Sequence, residues 1–462
     1  MMSRSARRKG KFVAAAASVL LTLAAGSVQA STYAVAGDDD KGVPSGGWFQ
    51  ATPPPPGYGS WSAAMGEQQI LDTLADRILE TVPEKGSGYG SVAIDLQNHR
   101  IKLYWKGALP QDVQGIIAGA PERVLVSSAS YTREEMLAAA ELVMQHRDDQ
   151  STHIVSAGPT ADASGLSIGV TGSVEQGRGL DVVKSLGMQV SVKPDRPVDT
   201  GEAPGEPVPQ SVSPQLNSTV LERRTDSNPN WGGAWTNSKG NGCTAGFPLH
   251  DASGHSLMLT AAHCLEGTPV GDLPDVDVHV GKVSKNFIKA KWDSRDLAVI
   301  DLRNQTSSAA RMWFGAATGS TDLTYMTVRG VGGNHVNDYV CTNGAYSGTR
   351  CGIIVDAVDL LVSHAYSGVL HQAVEAHSWD GSNAAGQGDS GSGVFTLDSD
   401  LQGVRARGIQ SALSSWPHEY VTCTGLTTMG GGTKSRYCSN HIYYTTISAS
   451  QGHNWGLVTT AP

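Results

Sequence analysis

Ser390 stands in the run GQGDSGSGVF (386–395), between Asp389 and Gly391 and two residues after Gly388. A serine hydroxyl is a weak nucleophile, so a site built on one needs a base at its oxygen and donors for the oxyanion that forms. Gly388, with no Cβ, permits a backbone turn that aims its N–H and that of Ser390 at one point, which makes these two residues the expected oxyanion hole. A plain Gly/Ser turn between strands has the same composition. Two other stretches decide between these readings.

The first is LMLTAAHC (257–264), where an apolar strand ends in a turn that presents His263. Imidazole titrates near neutrality, so His263 can take the serine proton and return it to a leaving group. Cys264, the next residue, can bond to Cys243 and pin the turn. The second stretch is KWDSRDLAVIDL (291–302), in which Asp296 heads the apolar run DLAV. A carboxylate buried at a strand start must be hydrogen-bonded, and one that accepts from imidazole fixes its tautomer and stabilises the imidazolium. Asp293 and Asp301 are the alternatives; Asp301 suits the opposite face or the strand end, so the pattern favours Asp296.

From about Trp231 onward, short apolar runs alternate with Gly, Asn, Asp and Ser, the pattern of an all-β sandwich or barrel, with helix expected only at the extreme C-terminus. Residues 61–195 read instead as a small α/β domain. Leu71, Leu74, Ala75 and Ile78 share one face of a helix over 68–80. Val92, Ile94 and Leu96, then Ile101, Leu103 and Trp105, alternate around Gln97-Asn98-His99 and predict a hairpin. A strand is expected at 124–126. Thr132 and Glu135 form a capping box ahead of a helix carrying Met136, Ala140 and Val143, and further strands are expected at 166–170 and 188–192. This part has no cysteine, no phosphate-binding glycine loop and no His/acid cluster, so it reads as non-catalytic.

The 462 residues suggest about three domains. Charged residues are 17% and the net charge is −9, a mildly acidic balance that argues against nucleic acid or an anionic membrane as partner. Residues 1–30 have a basic start, an apolar run over 12–25 and a Val28-Gln29-Ala30 cleavage site, and so read as a signal peptide. The run is short for a membrane span, and no membrane attachment is expected after cleavage. Residues 31–60, with DDDKG and PPPPG, read as a disordered linker. A Pro-rich, acidic linker follows at 196–230, with Arg223-Arg224 as a processing point. Asn217 and Asn304 head glycosylation sequons. The six cysteines all follow residue 242; an even set in an exported chain reads as disulfides. With no C-x-x-C pair, no structural zinc is expected, and no other metal or cofactor.

TAAHC around His263, DLAV at Asp296 and GDSG at Ser390, in that order, resemble the chymotrypsin-like serine peptidases. CTNGAYSGTRCGIIV (341–355) is similar to their secreted bacterial branch, the streptogrisin and α-lytic protease type. The resemblance covers about 231–457. It implies an all-β double barrel at 231–462, with His263 and Asp296 from the first six-stranded barrel and Ser390 from the second. It also gives residues 61–195 a role, as an α/β pro-region that assists folding and blocks the cleft until cut away. The expectation is a secreted serine endopeptidase made as a zymogen, acting on protein or peptide substrates through an acyl-enzyme. Ser411-Ala412-Leu413 would be the strand that pairs with substrate backbone. Ala384, six residues before Ser390, disfavours Lys or Arg selectivity, and Gln410 stands where glutamate-selective relatives carry His, which leaves a neutral pocket. The expected disulfides are Cys243–Cys264, Cys341–Cys351 and Cys423–Cys438.

The chain departs from the family in several places. Ser392 replaces a glycine of GDSGG, the I-V-G-G terminus is missing, and no cysteine closely precedes Ser390. Thr342 stands where the bacterial branch carries an arginine after its cysteine, so the partner of Asp389 is open between Arg329 and Arg350. A catalytically silent protease-like binding protein is the alternative of another class. A serine esterase would place G-x-S-x-G on an α/β sheet, whereas Ser390 reads G-D-S-G-S in a β-rich context.

Overall fold

The computed structural model of the chain describes residues 53–462 except 84, 148–151, 199–222, 224–225, 227–228, 239–240, 266–277, 281–282, 303–306, 318–323, 366, 430–433, 449–455 and 460–462. The expected signal peptide, most of 31–60, most of the linker and both sequon asparagines lie outside the described residues.

The C-terminal part is all-β. In its second half, Tyr339–Gly344 pairs with Gly348–His364, which pairs with Gly368–Ser378. That strand pairs with His441–Thr446, then Gly403–Leu413, then Gly393–Leu397, which returns to Tyr339–Gly344. The six strands therefore form a closed barrel. Its interior includes Val340, Ile353, Val374, Val394, Leu413 and Ile442, as alternation on strands demands. In the first half, residues 241–250 bend: the Asn241–Thr244 end pairs with Trp235–Ser238 and the Pro248–His250 end with Ser256–Ala261. Leu297–Asp301, Val283–Trp292 and Val278–Val280 complete that ring back to Trp235–Ser238. At the C-terminus, Ser448 is helical as expected, residues 449–455 lie outside the described residues, and Gly456–Leu457 adds to Pro248–His250 as a strand.

The N-terminal part mixes helix and strand as predicted. Helix Trp61–Leu79 starts earlier than its apolar stripe, because Ser60 Oγ accepts from Ala63 N and Trp61 and Met65 are buried. The hairpin Tyr89–Asp95 and Arg100–Trp105 has Ile94 opposite Ile101, turning through left-handed His99 (φ 53°). Val124–Ser128 joins it in parallel. The Thr132/Glu135 capping box opens helix Arg133–Gln145. Strands Leu166–Val170 and Val190–Pro194 are present, with an unforeseen Ile154–Pro159 beside them. Helix Gln111–Ala118 was also unforeseen; it is eight residues long, with Val113 buried and Ile116 and Ile117 half-buried on the same face.

Ile154–Pro159 also pairs antiparallel with Gly348–His364, setting Ala157 against Leu361 and Ser156 against Val362. Three N-terminal strands thus extend the sheet of the second barrel. Arg223 belongs to the C-terminal part and not to an exposed linker. It is fully buried and donates to Asn343 Oδ1 (2.6 Å) and to the carbonyls of Gly233, Gly315 and Ala316. Burial lowers its pKa to about 9. A cut at 223–224 would have to extract that side chain first, which removes it as an accessible processing point in this state.

Candidate active site

Ser256–Ala261 and Leu297–Asp301 run antiparallel with Ala261 opposite Leu297, so His263 and Asp296 emerge side by side from the same end. Ala262 N donates to Asp296 O (3.0 Å), and His263 N to Asp296 Oδ1 (2.8 Å). The ring follows, with His263 Nδ1 2.6 Å from Asp296 Oδ2. Asp296 adopts φ 49°, a left-handed conformation that costs of the order of 1–3 kcal/mol and persists where the surroundings impose it. Asp301 sits at the other end of its strand, opposite Leu257; the side chain of Asp293 lies outside the described residues. Asp296 is wholly buried and also accepts from Ser411 Oγ at 2.5 Å. Burial pushes its pKa up, but the charge and hydrogen bonds of His263, with smaller help from His364 and Ser411, hold it below the ordinary carboxylate value.

Ser390 comes from the second barrel and meets this turn. Its carbonyl accepts from Thr244 N (2.8 Å) and lies 3.6 Å from Cys264 Sγ, beside His263. Glycine is required on both sides of it. Gly388 has φ 90°, and a Cβ there would lie 2.5 Å from the Tyr346 ring; at Gly391 (φ 85°) it would lie 2.3 Å from Thr260 Oγ1.

Asp389 is paired with Arg436, and not with Arg329 or Arg350. Arg436 Nη2 donates to Asp389 Oδ2 (3.0 Å), while Gly386 N, Tyr346 N and Ser347 N supply the remaining donors. Arg329 is engaged by Asp398 and Asp400 on the surface. Arg350 Nε donates to Ser347 O and forms no ion pair with Asp389. Arg436 Nε also donates to Gln387 O at 2.7 Å. In a planar trans peptide the carbonyl and the following N–H point opposite ways, so this bond turns the Gly388 N–H away from Arg436. Cys423–Cys438 anchors the loop that delivers the arginine. The other two disulfides, Cys243–Cys264 and Cys341–Cys351, form as expected. Thr342 donates to Ala384 O (2.7 Å).

Ser411, Ala412 and Leu413 end strand Gly403–Leu413 and are buried. Part of their cover comes from the N-terminal part. Val198 packs in one cluster with Ala412, Leu360 and Val362, its N–H donates to Ser363 O (3.4 Å), and Ser415 Oγ donates to Pro197 O (2.7 Å). Ala384, Ala385, Leu413 and Ile442 form a neutral, apolar cluster near the nucleophile loop.

Three groups of side chains among the described residues have metal-like spacing. Cys243 and Cys264 are consumed by their disulfide. His263, Asp296 and His364 are engaged with one another. Asp72, His335 and Asp338 surround the guanidinium of Arg407, which already occupies the place of a cation. Sequence reasoning missed Arg436, His364 and the buried Arg223. The only sequence trace of the first is the lack of an arginine after Cys341.

A closed β-barrel with a glycine-flanked serine set against a His–Asp pair defines the trypsin-like class of fold. Residues 225–428 match the family model described as Trypsin. Among solved structures, the chain is similar to a Nocardiopsis protease, with 19% identity and TM-score 0.36 over 51% of this chain and 99% of that one. It is also similar to Thermobifida fusca protease A, with 18% identity and TM-score 0.36 over 50% and 98%. A third likeness is to Cellulomonas bogoriensis chymotrypsin, with 17% identity and TM-score 0.34 over 50% and 98%. No curated protein matches the chain.

Proposed function

We propose that the protein is a secreted serine endopeptidase made as a zymogen, with His263, Asp296 and Ser390 as its triad. The observation that carries this reading is the doubly bonded Asp296–His263 pair set against the segment that holds Ser390. With Asp296 ionised, His263 Nδ1 keeps its proton, and Nε2 is the atom that takes the Ser390 hydroxyl proton. Ser390 Oγ then adds to the scissile carbonyl, and the oxyanion receives the N–H groups of Gly388 and Ser390. His263 returns the proton to the departing amine, leaving an acyl-enzyme for water to hydrolyse. Ala384, six residues before Ser390, is uncharged, which fits an apolar or aromatic substrate side chain better than Lys or Arg.

Residues 61–195 act as pro-region in this reading, with the start of the linker running on from them. Support comes from the 195–198 tail, whose Pro197 and Val198 lie over the strand that would receive substrate.

A fluorophosphonate probe tests the assignment. Processed wild type should be labelled at Ser390, Ser390→Ala should not, and His263→Ala should be labelled far more slowly. Cleavage of peptides over simple esters then separates peptidase from esterase. Absence of labelling after loss of the N-terminal part would instead favour a protease-shaped binding protein.

A further inference from the structure

His364 lies beside the Asp296 carboxylate, near the oxygen that holds His263, and the reaction described above makes no use of it. It ends strand Gly348–His364 and is 2% exposed. Its Nε2 lies 3.4 Å from Ser411 Oγ and 3.9 Å from Asp296 Oδ2, and its ring centroid is 6.1 Å from that of His263. The other nitrogen locates the proton. Nδ1 receives the Ser367 N–H at 3.1 Å; a backbone amide only donates, so Nδ1 holds a lone pair and the neutral ring carries its hydrogen on Nε2. Ser411 already donates its hydroxyl hydrogen to Asp296 Oδ2 at 2.5 Å. The oxygen of Ser411 is therefore available to accept from His364 Nε2–H.

We propose that His364 is a positioning residue of the triad, a neutral imidazole whose Nε2–H, relayed through Ser411 Oγ, supports the Asp296 carboxylate at Oδ2, the same oxygen that holds His263. This rests on the reading of His263, Asp296 and Ser390 as a triad. Burial drives the pKa of His364 down to about 4; Asp296 pulls the other way and the His263 charge adds to the fall. The second imidazole thus stays neutral where the first must cycle. The charged groups that face His364 are Asp296, ahead of Leu297–Asp301, and His263, after Ser256–Ala261. Gly368 opposes it on the neighbouring strand and Val198 across an isolated bridge, and neither titrates. A carboxylate with fewer donors presents more negative charge to its imidazole and raises that ring's pKa.

The test compares wild type with His364→Phe, which keeps a ring and loses the donor, and His364→Gln, which keeps a donor. The Phe variant should lose several-fold in kcat with little change in KM, and the acidic limb of its kcat/KM profile should move up by about half a pH unit. The Gln variant should restore most of the wild-type profile. An unmoved limb in the Phe variant of an active enzyme overturns the proposal and leaves the peptidase reading intact. A wild type without Ser390-dependent hydrolysis sinks that reading itself. Should the Phe variant fail to fold, imidazole ¹⁵N shifts in the full-length Ser390→Ala chain decide. An Nδ1 without hydrogen and an Nε2–H from pH 8 to 5 support the proposal; a charged ring at pH 6, or an Nδ1–H, overturns it.

Discussion

Residues 223–459 carry three disulfides, whereas residues 53–198 hold no cysteine and join the other part through a charged cluster, a shared sheet and apolar packing. Helix Trp61–Leu79 places Asp72 and Asp76 one turn apart, against Arg407, His335 and Asp338. Arg407, buried, contacts Asp72 and lies 3.6 Å from Asp338; His335 Nε2 lies 3.2 Å from Asp76. Gln68 binds both backbone groups of Tyr339. Elsewhere the join includes the strand pairing at Ala157–Leu361, the Lys193–Glu375 pair and the Arg133–Asp359 fork, and apolar clusters run across it, with Trp61 and Met65 in the cluster that holds Leu397 and Val198 in the one that holds Ala412. Charged and ladder groups are served by water once separated, whereas a disulfide is not exchanged for solvent. One part is therefore cross-linked on itself, and these contacts of the other with it are all non-covalent.

Four measurements would break or sharpen that contrast. Arg436→Met, inside the cross-linked part, should show the largest effect, because it leaves Asp389 buried without its cation. We expect a loss of about 3–5 kcal/mol in urea unfolding and a fall in kcat of about 10²–10³ with KM nearly constant, as the Gly388 N–H loses its orientation. An unaltered kcat would show that the Gln387–Gly388 peptide is held by something else.

Arg407→Ala comes next. It strands Asp72 and Asp338 in the join, and the full chain should lose about 3–5 kcal/mol, read by chemical denaturation. A cost under about 1 kcal/mol would mean that the two parts do not depend on this cluster.

The third measurement is the pH dependence of thermal stability. Burial lowers the pKa of His335, but Asp338, Asp72 and Asp76 raise it well above the usual imidazole value. A raised folded-state pKa gives stability that is complete below about 6.5 and is lost as pH climbs through the higher value. Asp338 acts in the same direction: burial and the Asp72 charge lift its pKa to about 7, so its contribution fades from about pH 4 upward to about 7. His441 is raised to about 10 because Glu375 and Glu419 outweigh its burial, so it adds a similar slope within the C-terminal part. The full chain should melt several degrees lower at pH 9 than at pH 6, and His335→Gln should flatten part of that fall. Parallel curves for the two proteins would remove His335 from the explanation.

Arg133→Ala should show the smallest effect. Its fork with Asp359 is partly exposed and screened by solvent, so about 1 kcal/mol or less is expected in the same unfolding assay.

Much of the site was legible because its signals are local. An apolar strand ending in AAHC, a carboxylate heading DLAV and glycines around Ser390 each encode a turn that the neighbouring residues enforce. The Thr132/Glu135 box and the Ile94–Ile101 hairpin were readable for the same reason. Helix Gln111–Ala118 spans only about two turns, so its stripe is three residues long, and strand Ile154–Pro159, buried along most of its length, does not alternate.

The sequence by itself determined which atoms could do chemistry, since a nucleophile, a base and a carboxylate are residue types with short flanking grammar. Tertiary structure alone decided who supports them. Arg436 rather than Arg329 or Arg350 meets Asp389, His364 backs Asp296 through Ser411, and Pro197 and Val198 lie over the 411–413 strand. Those partners are 47, 68 and more than 200 residues apart in sequence. A charge or a lone pair has no preferred sequence neighbour; its partner is whichever side chain the closed barrels bring within hydrogen-bonding distance.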